Sequence, residues 1–337
     1  MVAKYLFVDL GRKPPFYLKN SIKHARAANP TSEIYYVTDN FFNSKFLDKM
    51  KVITIRINRE KFKDIVGLLQ EYYLEKSGHR DGYWLNSCLR LFAIEEFIKI
   101  TKFDKFIHLE SDAIILFGEK DFDEIMLNYD SNYTCFDNAN SSVPTILIIT
   151  DSNLYLSFMK YLSNCLSDKE MYPEFYWNDI YSFNLGYKEG YFKALKTIPS
   201  NNNKPNNNLE TQVFDTAIYG KYLLGQDPRN VKFRLKSGTI DTIDAKIFPY
   251  SAKWKMIKNN TVPHLRITHK EKFFRIMVLH NYAKIKLPLL KSNSLIWKNI
   301  LREANTDKFR INRLSLRLLL LSSRQYLRYR KYRRTQL

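Results

Sequence analysis

The segment Lys105–Phe117, KFIHLESDAIILF, decides the reading of this chain. Two apolar runs, residues 106–109 and 113–117, flank the polar triplet Glu110-Ser111-Asp112. Runs this short and this rich in Ile and Leu suit buried strands better than helices. A carboxylate pair where a buried strand ends is costly unless a cation offsets it. Glu and Asp supply the hard oxygens that Mg²⁺ and Mn²⁺ prefer. Two residues apart in an extended chain, both side chains point the same way, so both can face one ion with Ser111 turned away. The bland alternative is a solvated turn, since acid-x-acid triplets also arise by chance.

Upstream, residues 3–10 (AKYLFVDL), 34–37 (IYYV) and 51–57 (KVITIRI) read as strands. Pro15 suits the first position of a helix over 16–28, which Asn29-Pro30 stops. Strands alternating with helices at this spacing predict a parallel sheet with helices on its faces. In such sheets ligands bind outside the carboxyl ends of the strands. Asp9, Asp39 and the Glu110/Asp112 pair all stand at such ends, although Asp9 and Asp39 serve equally well as caps or turn residues. Further helices are expected over 59–76 and 86–100. In the second, Leu85, Leu89, Phe92 and Ala93 share a face. Arg90 lies early in that helix. It reads either as a surface partner of Glu95 or Glu96, or as a planar clamp for phosphate.

Downstream, a short helix is expected over 121–128, strands over 133–136 and 145–150, and a helix over 151–165. The stretch 171–187 carries Tyr172, Phe175, Tyr176, Trp177, Tyr181 and Phe183. Such aromatics can stack on sugar rings, though core packing is their commoner fate. SNNNKPNNN, residues 200–208, reads as a mobile loop with the place of a lid or of an inert insertion. A helix is expected over 209–224, with Val213, Ala217 and Leu224 inward. A strand-like run over 276–279 ends in His280, and Lys284 follows four residues on. An imidazole there can complete a metal site, and the lysine can meet a phosphate as a point charge.

The chain has 337 residues, 45% apolar and 15% aromatic, with 10 Gly and 11 Pro. That is globular composition with room for one large domain or two. Cys88, Cys135 and Cys165 form no CxxC and no disulfide framework, which predicts a reducing compartment. The opening lacks the apolar core of a signal peptide, and no stretch approaches the ~20 apolar residues of a spanning helix. A cytoplasmic setting is therefore expected. The net charge is +20, and residues 308–337 hold ten Lys/Arg without an acidic residue, which leaves +10 for the rest. Basic charge of this size suits nucleic acid, anionic lipid or phosphorylated substrates.

Taken together, these segments resemble the GT-A-fold glycosyltransferases that use a DXD motif, here written Glu-Ser-Asp. The likeness covers roughly residues 1–290. It rests on YLFVDLGRKPPFYLKNSIKHARAANPTSEIYYVTD, on WLNSCLRLFAIEEFIKITKFDKFIHLESDAIIL, on NLETQVFDTAIYGKYLLGQDPRN, and on LHNYAK. The resemblance implies a Rossmann-like mixed sheet flanked by helices over 1–290, with a basic helical extension over 291–337. It implies transfer of a hexose-type sugar from a nucleoside-diphosphate sugar to a glycan, saccharide or lipid-linked acceptor, with Mn²⁺ or Mg²⁺ as cofactor.

Residue by residue, the resemblance implies that Asp112 and His280 hold the ion and that Glu110 helps through the metal or the ribose. Lys284 would hold the diphosphate, and Asp9, Asp39 and Arg90 would touch the nucleoside or donor sugar. Asp215 would lie near the anomeric carbon or the acceptor hydroxyl. If transfer inverts configuration, a carboxylate must take the acceptor's proton. Asp215 is the first candidate and Glu210 the second. The departure from the pattern is Glu at 110, whose longer arm changes how the metal is met.

In the tail, Arg310, Arg313, Arg317, Arg324 and Arg328 form a basic stripe beside Leu314, Leu318 and Leu321. A helix so patterned suits an anionic membrane surface, making the protein peripheral there. Two rival readings, a nucleic-acid-binding protein and a metal-dependent nuclease using Glu110, Asp112 and Asp9, explain the tail's charge. No RNP, zinc-finger or KH signature accompanies it, so nucleic acid is not the expected partner.

Overall fold

A computed structural model describes residues 2–11, 14–40, 44–74, 83–137, 141–168, 177–197, 212–216, 219–220, 223, 253–257, 264–269, 272–281 and 301, with the backbone alone at 71–74, 83–84, 137, 141, 253–257, 264–269 and 272–273. The elements in order are β1 (Lys4–Asp9), α1 (Leu18–Ala28), β2 (Glu33–Thr38), α2 (Lys45–Lys49), β3 (Val52–Arg56), α3 (Lys63–Leu74) and α4 (Tyr83–Thr101). There follow β4 (Phe106–Leu109), β5 (Ala113–Ile115), α5 (Glu119–Asn128), β6 (Tyr133–Asp137), β7 (Ser141–Ile149), α6 (Ser152–Ser167), α7 (Asp179–Lys188) and β8 (Lys193–Leu195). The remaining strands are β9 (Gln212–Phe214), β10 (Lys253–Ile257), β11 (His264–His269) and β12 (Lys272–His280).

The seven-stranded main sheet runs β3-β2-β1-β4-β7-β6-β8. Its β3-β2-β1-β4 half is parallel, and β7 runs antiparallel to both β4 and β6. The fold is thus α/β, a mixed sheet flanked by helices; the alternation of patterns predicted its parallel half, and the antiparallel β7 makes the sheet mixed. Alternation along β4 explains why it is apolar apart from His108, which is itself buried. Phe106 enters one core with α3, α4, α6 and α7, while Ile107 and Leu109 enter the other with α1, α5 and β12. A strand covered on both faces has no solvent side to mark with polar residues. Phe97 of α4 anchors the first core, meeting Tyr35, Phe103 and Phe106 edge to face at centroid separations of 5.3, 5.9 and 5.2 Å.

The second sheet runs β10-β11-β12-β5, with β9 parallel to β12. Here one expectation fails in part. Residues 209–224 were expected to be helical, but Gln212–Phe214 is a strand, while Tyr219, Gly220 and Leu223 are helical. Val213 and Phe214 are fully buried, and β9 takes its hydrogen-bond partners from β12, so tertiary pairing overrides the helical spacing. The expected helix over 59–76 is also split. Asn58 caps a short 3₁₀ turn, Arg59–Phe62, and α3 follows it. Trp177 and Phe183 are buried in the first core, so these two aromatics pack rather than offer a sugar platform. Tyr172, Phe175 and Tyr176, the loop 200–208 and the arginine stripe of the tail lie outside the described residues. Among the described residues no helix is long and apolar enough to cross a membrane.

Candidate metal and substrate site

Strand β4 ends at Leu109, the chain turns through Glu110-Ser111-Asp112, and β5 joins the second sheet. Five hydrogen bonds hold this turn. The Glu110 amide donates to Thr145 O at 3.1 Å, and the Ala113 amide closes the turn on Glu110 O at 2.9 Å. The Ser21 hydroxyl donates to Ser111 O at 2.8 Å, and the Ser111 hydroxyl donates to Asp9 Oδ2 at 2.6 Å. The Asn281 amide donates to Asp112 O at 2.8 Å. Ser111 therefore ties the triplet to the end of β1.

His280 reaches the triplet through sheet register. Strand β12 pairs antiparallel with β5, and Ala113 stands directly opposite His280. The last residue of β12 is thereby set beside Asp112, although 168 positions separate them in sequence. His280 Nε2 lies 3.1 Å from Asp112 Oδ1 and 3.4 Å from Glu110 Oε2. One ligand atom from each of the three residues falls within 4.8 Å of the others. Adjacent vertices of an octahedron with bonds of about 2.1 Å lie about 3 Å apart, so these separations fit a hard divalent ion. Two carboxylates and one imidazole suit Mn²⁺ or Mg²⁺ in donor type as well.

Behind the triad, Arg90 reaches down from α4. Its Nη1 donates to Glu110 Oε1 at 2.9 Å and its Nη2 to Asp179 Oδ2. Glu95 and Glu96, the expected surface partners of Arg90, pair instead with Lys99 and Lys61. Burial pushes the Glu110 carboxyl up, and Asp112 adds to this, while Arg90 and His280 pull it down. The guanidinium bridges the Glu110 and Asp179 carboxylates.

Asp39 stands at the end of β2 and accepts the Gly11 amide on both oxygens, at 2.8 and 3.0 Å. Arg59 Nη1 also meets it at 2.9 Å, and Arg59 Nη2 continues to Asn86 of α4 at 3.1 Å. Gly11 has φ +71°, and a side chain there would strike Asn86 within 2.7 Å, so glycine is required. Asp39 thus fastens the carboxyl end of β1 to that of β2. Asp215 follows β9 and is fully buried. It accepts the amides of Tyr219, Gly220 and His280, each at 2.8 Å. Burial pushes its carboxyl up to about 6.

The structure therefore gathers Glu110, Asp112 and His280 into one cluster. It joins Asp9 to them through Ser111, backs Glu110 with Arg90, and sets Asp215 behind His280. Asp39 lies in a separate knot around Gly11 and Arg59. Glu210 and Lys284 lie outside the described residues. Sequence reasoning missed Asp179 and Gly220. Asp179 follows Asn178, whose side chain accepts the Tyr181 amide as an N-cap, so Asn-Asp at a helix start reads as capping. Gly220 left a clearer sign, since an isolated glycine in a helix-like pattern often marks a close backbone approach.

No protein-family model and no curated protein sequence matches this chain. Solved structures similar to it are glycosyltransferases by their names. An active-site mutant of LgtC is 15% identical over 61% of this chain and 80% of its own, with a TM-score of 0.39. The PaToxG glycosyltransferase is 13% identical over 56% and 70%, with a TM-score of 0.35. Mouse xyloside xylosyltransferase 1 is 12% identical over 58% and 86%, with a TM-score of 0.37. At such scores the backbones agree only in part, and function is carried by sites rather than by folds.

Proposed function

We propose that the chain is a metal-dependent glycosyltransferase of the GT-A type. It would move a sugar from a nucleoside-diphosphate sugar to a saccharide, glycan or lipid-linked acceptor. The observation that carries this reading is the Glu110/Asp112/His280 cluster at the carboxyl end of the parallel strands. That is where an α/β sheet takes its ligands. The cluster's donor set and spacing fit Mn²⁺ or Mg²⁺.

In this reading Asp112, His280 and Glu110 would hold the ion, and Arg90, paired with Glu110 Oε1, would orient that carboxylate. When bound, the ion would neutralise the charge that develops on the leaving diphosphate. Lys284 would add a point charge to the same phosphates. Asp9, held by the Ser111 hydroxyl, borders the end of β1 where a nucleoside would lie. Asp39 and Arg59 brace the neighbouring loop. Transfer breaks the bond between C1 and the β-phosphate oxygen and forms one between C1 and the acceptor oxygen. Of the two carboxylates expected as base, Asp215 has both oxygens committed to backbone amides, and this reading gives it a positioning role instead. The basic tail over 308–337 remains the candidate contact with an anionic membrane carrying a lipid-linked acceptor.

A thermal-shift panel tests the reading. UDP-, GDP- and CMP-linked sugars are added with and without Mn²⁺ to the full chain and to Asp112→Ala. A ligand that binds the folded state raises its apparent stability by mass action. The expected result is a shift with one nucleotide class that needs Mn²⁺ and disappears in Asp112→Ala. A shift with RNA or DNA and with no nucleotide sugar would overturn the reading.

A further inference from the structure

Asp215 and Gly220 meet the metal triad from behind, and they do so at the backbone of His280. The Asp215 carboxylate accepts the His280 amide on Oδ2 at 2.8 Å, on the same oxygen that accepts the Gly220 amide, while Oδ1 accepts the Tyr219 amide. The Asp215 amide in turn donates to Val278 O at 3.3 Å. Gly220 lies closer still. A Cβ built on it would stand 1.7 Å from His280 O and 2.8 Å from His280 C. No side chain fits there. The turn after β9 is therefore moulded on the last residue of β12. On its other side, His280 is flanked by Asp112, whose carbonyl accepts the Asn281 amide.

These contacts fix more than a strand end. The imidazole of His280 has one productive direction, toward Asp112 Oδ1 and Glu110 Oε2, and its backbone sets that direction. On the β9 side the strand pairing of β12 ends at Val278, opposite Phe214, and past it the His280 amide is taken by the Asp215 carboxylate. A buried carboxylate that accepts three amides supplies what the ladder stops supplying. Ligand-orienting contacts of this kind govern metal affinity even when they do not touch the metal.

We infer that Asp215 and Gly220 form a backbone seat for His280 and so set the affinity of the Glu110/Asp112/His280 cluster for a divalent cation. This rests on the metal reading given above. Both are positioning residues rather than ligands. The Tyr219 hydroxyl donates to Thr197 O at 2.6 Å, just past β8, so the seat is itself anchored to the main sheet.

The test is Mn²⁺ binding to the full chain, measured by titration calorimetry, with pulsed EPR of the bound ion to detect coupling to the histidine nitrogen. The variants are Gly220→Ala, Asp215→Ala, Asp215→Asn and His280→Ala, each with its metal-free Tm recorded. Removing an orienting contact typically costs about 10–100-fold in metal affinity. Gly220→Ala and Asp215→Ala should weaken Mn²⁺ binding by about that factor and diminish the nitrogen coupling. Asp215→Asn, isosteric and retaining one acceptor oxygen, should fold and lie between them and wild type. A purely structural role would lower the metal-free Tm and leave affinity and coupling unchanged. That result in folded Asp215→Asn and Gly220→Ala would overturn the inference while the metal reading stands. If wild type and His280→Ala bind Mn²⁺ alike, or neither binds, the metal reading itself falls and the inference with it.

Discussion

Replacing Arg90 with alanine removes the one group among the described residues that pairs with Glu110 and Asp179 together. The guanidinium has 13% of its side chain exposed, against 15% for Glu110 and 6% for Asp179, so water does little of the work. At 2.9 Å from Glu110 and an effective dielectric constant of about 20, one such contact amounts to about 6 kcal/mol of raw attraction. Desolvation offsets most of it, and breaking a buried pair typically costs about 3–5 kcal/mol because the partner charge is stranded. Urea unfolding of Arg90→Ala should therefore show about 3 kcal/mol or more of lost stability at pH 7. Arg90→Lys keeps the charge but not the two-pronged geometry and should lose less. The deficit should also depend on pH. The folded-state pKa of Glu110 lies above its unfolded value, so the folded chain holds the proton more tightly. Stability then falls as pH rises through the window between the two. Arg90 narrows that window by pulling the carboxyl down, so its loss should hurt more near neutrality than near pH 4. A loss below about 0.5 kcal/mol, the usual size of a surface substitution, or a deficit that does not change with pH, would refute the reasoning.

Asp112→Asn, which keeps the shape of the turn, should lower transferase activity by on the order of 10²-fold or more, read with the donor that the thermal-shift panel identifies. Treatment with EDTA should abolish the donor-dependent thermal shift and Mn²⁺ should restore it; saturation at about 100 times the dissociation constant corresponds to about 2.7 kcal/mol of added stability. Phe97→Ala empties the site where Tyr35, Phe103 and Phe106 converge and should cost about 3–5 kcal/mol in urea unfolding. His108 is buried on β4, with Nδ1 3.1 Å from Leu6 O, and burial drives its pKa down to about 3. An unfolded histidine takes up its proton near pH 6.5, so this group's contribution is complete above that pH and is lost as pH falls toward 3. Its share of the acid slope, at most about 1.4 kcal/mol per pH unit, should vanish in His108→Gln.

The sequence by itself determined the parts whose signal is local. Short apolar runs bounded by turns placed β1, β2 and β4, which are buried along nearly their whole length, and the edge strand β3, which is mostly exposed. Strand-helix alternation then determined the parallel half of the sheet and the end at which a ligand site belongs. Glu110, Asp112 and His280 were legible as candidates because each polar group interrupts or ends an apolar run, where a lone charge is costly.

Tertiary structure decided what depends on partners far along the chain. Only the pairing of β12 with β5, through Ala113 and His280, brings the histidine to the carboxylates. Nothing local to residue 280 specifies that register. The segment around Val213 carries a helix-like spacing, yet it is a strand because β12 offers it a hydrogen-bonding edge. Arg90 read either as a surface partner of Glu95 or Glu96 or as a phosphate clamp, and the fold pairs it with Glu110 and with Asp179, 89 residues on. Asp215 was the first candidate for a base as a carboxylate, and the fold adds the backbone amides that its oxygens accept. Sequence shows a carboxylate but not the three amides of Tyr219, Gly220 and His280 folded around it. Periodicity and end signals record what each segment buries, whereas which buried groups meet is a property of the whole chain's packing.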